Sequence, residues 1–172
     1  MKKRTSIIAV LLVITVLFII ASIPYKWSFV FFEHRTTNPI AYLPLDNDKN
    51  FQIRYTHSIH LSDVIESYKV TKNNEIQLSS LEYEDFAIGM PAGAGEGENF
   101  VEKDGKYYIK NMSQVLPSFN ILVGDIDCDL AFGYLEDEYN LKNHLMRGES
   151  YTFLVTRLSF VDQLRGVNLS ER

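Results

Sequence analysis

From residue 51 to residue 58 the side chains change character at every step. Phe51, Ile53, Tyr55 and His57 alternate with Gln52, Arg54, Thr56 and Ser58. That period of two belongs to a strand with one buried and one wetted face. No stretch after Trp27 holds a helical period over ten or more residues. Strand-like pieces recur instead, separated by turn clusters such as DNDKN (46–50), TKNNE (71–75) and KDGK (103–106). The pattern predicts an all-β domain of about eight or nine short strands, an antiparallel β-sandwich or a partly open barrel.

Such a domain must hold itself by apolar burial alone. Cys128 is the only cysteine, so no intrachain disulfide can form. The alternation in DIDCDLAF (125–132) predicts a buried, inert thiol there.

The N-terminus has a different composition. Lys2, Lys3 and Arg4 precede residues 7–23, of which 13 of 17 are Ile, Leu, Val or Phe. On an insertion scale these sum to about 4–8 kcal/mol in favour of the bilayer. Tyr25, Lys26 and Trp27 follow as interface anchors. The end of the run, IIASIPYK, lacks the small-residue pattern of a cleavable signal peptide. The expected organisation is a cytoplasmic basic end with a transmembrane signal anchor (1–27), a stalk (28–39), an extracytoplasmic β domain (40–165) and a frayed tail (166–172). The chain would be a single-pass protein of the cell membrane, partnered with lipid through residues 7–23. Residues 36–172 carry 12 Lys or Arg against 21 Asp or Glu, a net of −9. That balance argues against nucleic acid as a partner.

Several polar constellations bear on chemistry. His57 and His60 stand three apart, and on a strand they would face opposite sides, which disfavours a shared metal. With residues 59–63 as a hairpin loop, Glu66 falls opposite or diagonal to His57. A structural His57–Glu66 pair is then expected, or a binding surface formed by Tyr55, His57, Ser58 and Glu66. An acid–base hydrolase using His57 and Glu66 is the enzymatic alternative. Ser58 adjoins its would-be base in sequence and points to the other face, which weakens that alternative. The stretch GMPAGAGEGEN (89–99) has no phosphate-binding lysine, and Glu96 and Glu98 would repel a phosphate. It reads as a mobile loop, or as a lid hinged at Gly89, Pro91, Gly93 and Gly95. Asp125, Asp127, Asp129 and Glu136 imitate a calcium loop, but Leu130 occupies the position that needs glycine. No cofactor and no metal is expected, with a metal-dependent binding domain as the remaining alternative.

The segments RYTHSI, VIESYKV, FAIGMP and KYYIKNMSQVLPSFNILVGD together resemble the domain of unknown function 1850 family. The family pattern lands on His57, Ser58, Glu66, Gly89, Pro91 and Pro117. The chain departs from it at FAIGMP, where members more often carry a Gly-Ala-Gly run. The resemblance implies a small exported or membrane-attached bacterial domain, associated with tripartite (TRAP-type) solute transporters and their solute-binding proteins. It implies no established activity. The function expected is therefore that of a non-catalytic accessory or binding module.

Overall fold

The computed structural model describes residues 2–84 and 90–171, with side chains from residue 6 onward. Helix α1 (Lys2–Ala21) opens the chain, and strands β1 (Lys26–Glu33), β2 (Pro39–Pro44), β3 (Asn50–Thr56), β4 (Asp63–Val70) and β5 (Ile76–Tyr83) follow. Next come β6 (Asn99–Lys103), β7 (Lys106–Lys110), β8 (Val115–Leu116), β9 (Phe119–Leu122), β10 (Leu130–Tyr134) and β11 (Asp137–Asn140). A short 3-10 turn (Leu141–Asn143) leads to β12 (Ser150–Leu158), helix α2 (Phe160–Arg165) and β13 (Val167–Asn168).

Among the described residues these strands form two sheets. The smaller runs β13-β2-β1-β12-β9, and the larger runs β11-β10-β3-β4-β5-β7-β6 with β8 beside β5. All pairings are antiparallel except β13 with β2. Neither sheet closes on itself, so there is no closed barrel. The strand count exceeds the expected eight or nine because pieces as short as β8 and β13 carry too few residues to show a period.

The two sheets share one core. Phe29, Phe31 and Phe153 of the smaller sheet meet Phe51, Phe132 and Tyr134 of the larger. The Phe29 ring lies 4.9 Å from Phe51, 5.1 Å from Phe132 and 5.0 Å from Tyr134. Tilted and edge contacts of this kind add about 0.5–1.5 kcal/mol each beyond area burial. A second cluster, Val64, Leu81, Tyr83 and Ile109, lies on the larger sheet, and Tyr55 packs against both clusters.

Three expectations about the ends of the chain need correction. Residues 28–39 are no stalk. They contain most of β1, which lies between β2 and β12 in the smaller sheet. Phe29 and Phe31 join the main core, while Val30 joins Tyr42 and Leu158 in a separate cluster. A strand buried on both faces shows no alternation, which is why FVFF hid it. The tail is not frayed either. β13 pairs with Ala41 and Tyr42, the Leu169 N–H donates to the Tyr42 carbonyl at 2.9 Å, and Leu169 is buried in the main core. Finally, α1 leaves its apolar side chains exposed on all sides, yet among the described residues no helix is long and apolar enough to cross a membrane. Its apolar portion, residues 7–21, spans about 22 Å against a hydrocarbon core of about 30 Å.

Candidate functional site

The hairpin β3–β4 sets the site. Asp63 pairs with Thr56, so the connecting loop is residues 57–62. The loop is closed by the His57 N–H donating to the Ser62 carbonyl and the Leu61 N–H donating to the His57 carbonyl, both at 2.8 Å. Leu61 takes a left-handed φ of 54° there, a conformation uncommon for a bulky side chain. This register places Glu66 opposite Ile53, not opposite or diagonal to His57. Among the described residues no hydrogen bond or ion pair joins His57 to Glu66. The His57 Nδ1 instead accepts from the Ile59 N–H at 3.3 Å, and its ring lies 5.6 Å from that of His60.

Glu66 occupies an unusual position. Its strand neighbours Val64 and Tyr68, and the facing Ile53 and Leu81, are all buried. Period two therefore puts a carboxylate on the core-facing side of the sheet. An unpaired charge there costs several kcal/mol unless it is hydrogen-bonded or open to water. Two tyrosines respond to it. The Tyr68 hydroxyl donates to Oε2 at 2.6 Å, and the Tyr55 hydroxyl donates to Oε1 at a long 3.5 Å. The Tyr68 ring is stacked between Phe51 and Phe119, at 5.1 and 5.3 Å, which fixes its hydroxyl. Burial, and then the charge of Glu66, push both phenols well above the ordinary tyrosine range.

The carboxylate opens onto a cleft of about 370 Å³ between the larger sheet and the edge strand β9. Buried Ile53, Ile121 and Leu130 and half-buried Phe119 supply its apolar lining. Tyr55, His57, Ser58 and Glu66 all line it, so the four residues proposed for a binding surface come together even though His57 and Glu66 do not pair. Of the lid residues, Pro91, Gly93 and Gly95 do not line the cleft. The Pro91 carbonyl accepts from the Tyr83 hydroxyl, away from it. Gly89 lies outside the described residues.

The polar groups around the cleft have partners of different kinds. Asp129 pairs with Arg54 at 3.4 Å. The Lys142 ammonium donates to the Ile126 carbonyl at 2.6 Å. Arg54 also holds Glu138 through two nitrogens at 2.5 and 3.1 Å and Asp63 at 3.5 Å, tying β3 to β11 and β4 from the outer face. That contact pushes the Glu138 carboxyl below its ordinary value. Cys128 is half-buried in the cleft lining, ahead of β10, not buried in a strand as the alternation suggested. Among the described residues no group of three or more His, Cys, Asp or Glu is placed to hold a metal.

The sequence left out Tyr68, Phe119, Ile121 and Lys142. Tyr68 was findable, since it stands two residues from Glu66 on the same face of the same strand. The others reach the cleft from β9 and the 3-10 turn by long-range pairing, which no local pattern encodes.

A family model described as Domain of unknown function (DUF1850) matches residues 51–141, just over half of the chain and all of the β3–β4 hairpin. No curated protein and no solved structure matches.

Proposed function

The chain belongs to the DUF1850 family, and from that premise we propose that it is a membrane-attached extracytoplasmic domain that binds a small solute without transforming it. The observation that carries this reading is the half-buried Glu66, set on a core-facing register at an apolar cleft. Clefts of this kind, apolar with a few placed polar groups, are suited to small molecules. Bond-making by His57 and Glu66 is disfavoured, because among the described residues no hydrogen bond joins them and each has other hydrogen-bond partners. Support for membrane attachment comes from the basic start of α1 and from apolar side chains exposed on all sides of it. A hydrophobic surface of that extent needs a cover, and lipid is one that a basic N-terminal flank favours. Service to a TRAP-type solute transporter is what the family resemblance implies. Tethering would raise the effective concentration of the cleft for a partner in the same bilayer.

The test is equilibrium dialysis of the full chain, reconstituted in vesicles, against a mixed pool of small solutes, with mass spectrometry of what is retained. Retention of an unchanged solute by the wild type and not by Ile121→Trp, which fills the cleft, is expected. Retention of nothing, or release of a chemically altered solute, would reject the reading, the latter in favour of the enzymatic alternative. Flotation of the same vesicles after an alkaline carbonate wash checks attachment. Chain left behind in the wash would reject attachment through the apolar surface of α1.

A further inference from the structure

The charge balance inside the cleft points to the class of solute. Of the Asp, Glu, Lys and His side chains that line the cleft, Lys142 donates to a backbone carbonyl, Asp129 pairs with Arg54, and His57 accepts from its own loop. Glu66 stands on the core-facing register of the sheet, and among the described residues no Lys, Arg or His forms an ion pair with it. Its hydrogen bonds come only from neutral phenols. A carboxylate offers about four acceptor positions, and two tyrosine donors leave about half of them unused. The rings of Tyr55 and Phe119 also line the cleft, and an aromatic ring can attract a desolvated cation by about 0.5–2 kcal/mol. A carboxylate beside aromatic rings and aliphatic walls matches one solute chemistry: an ammonium head on an apolar body. An anionic head seated on Glu66 would be repelled by it, and the Lys142 ammonium, which also lines the cleft, is held at the Ile126 carbonyl.

We propose that the cleft binds an organic ammonium ion, with its cationic head on Glu66 and its apolar body against Ile53, Ile121 and Leu130. This rests on the binding reading above and narrows it.

The experiment uses the full chain and three probes of equal length: n-pentylammonium, 1-pentanol and valerate. Binding is followed by calorimetry and by the shift in melting temperature. Pentylammonium is expected to bind at least tenfold more tightly than pentanol, and valerate not to register. Glu66→Gln keeps the shape of the side chain and an acceptor for Tyr68, so the variant should melt as a folded protein while losing tenfold or more in pentylammonium affinity. Undiminished pentylammonium binding by Glu66→Gln would overturn the inference, as would pentanol or valerate binding as well as the amine. In those cases the cleft still binds, and the binding reading survives. Failure of all three probes also overturns the inference, and the dialysis result then decides the broader reading on its own.

Discussion

At the scale of single residues, Glu66 and its two tyrosines hold the most information. Tyr68→Phe keeps the stack on Phe51 and Phe119 but removes a 2.6 Å bond to a carboxylate. A hydrogen bond to a charged group is worth about 1.5–3 kcal/mol, so chemical denaturation should show a loss of about 2 kcal/mol. A loss near zero would mean that water replaces the hydroxyl freely. The phenols also fix the alkaline limb of stability. Their folded pKa values are raised, so their contribution is complete below the ordinary tyrosine value of about 10 and falls as pH rises beyond it. Ultraviolet titration reads this ionisation against the ordinary tyrosine value of about 10. Tyr55 and Tyr68 should lag until the protein unfolds, and Tyr68→Phe should remove part of the lagging step. Glu138 works in the opposite sense. Its carboxyl is lowered by Arg54, so its stabilisation is present above the ordinary glutamate value and disappears as pH falls through the folded one. Arg54→Met should therefore flatten the acid limb of melting temperature against pH, while leaving the alkaline limb unchanged.

At the scale of elements, the chain is legible where a strand has one wet face and opaque where it has none. β3 and β4 could be read directly, because Gln52, Arg54 and Thr56 mark the outside. β1 could not, since Phe29, Val30 and Phe31 are buried on opposite faces and spell only an apolar run. α2 had a local signal that went unread. Ser159 and Asp162 form a capping box, with each side chain accepting from the other's backbone N–H. The site was half legible for a related reason. Parity placed Glu66 on the correct face, whereas the register depended on a loop whose ends are set by Thr56 and Asp63, two polar residues that look like turn formers. The role of β1 can be checked by Phe29→Ala. If residues 28–39 were a stalk, the change would cost almost nothing. With Phe29 fully buried among four aromatic rings, a loss of about 3–5 kcal/mol is expected by denaturant titration.

At the scale of the whole molecule, the shared core should make the two sheets unfold together. Protection from hydrogen exchange then follows depth in each sheet. Amides of β1, β12 and β3, each flanked on both sides, should exchange last. The β6–β7 hairpin should exchange first, since β6 is an outer strand with mostly exposed residues. The reverse order under conditions where opening limits exchange would show that the sheets separate before the edge frays.

The position of β1 has a mechanical consequence. Only four residues separate the end of α1 from a strand laced on both sides to antiparallel neighbours. A pull on the helix would run along that strand's axis and strain its rungs simultaneously in shear, where a peripheral strand would peel rung by rung. The attachment point is thereby joined to one of the stiffest parts of the fold. Tugging at the N-terminus would move the body as a unit long before it unravelled.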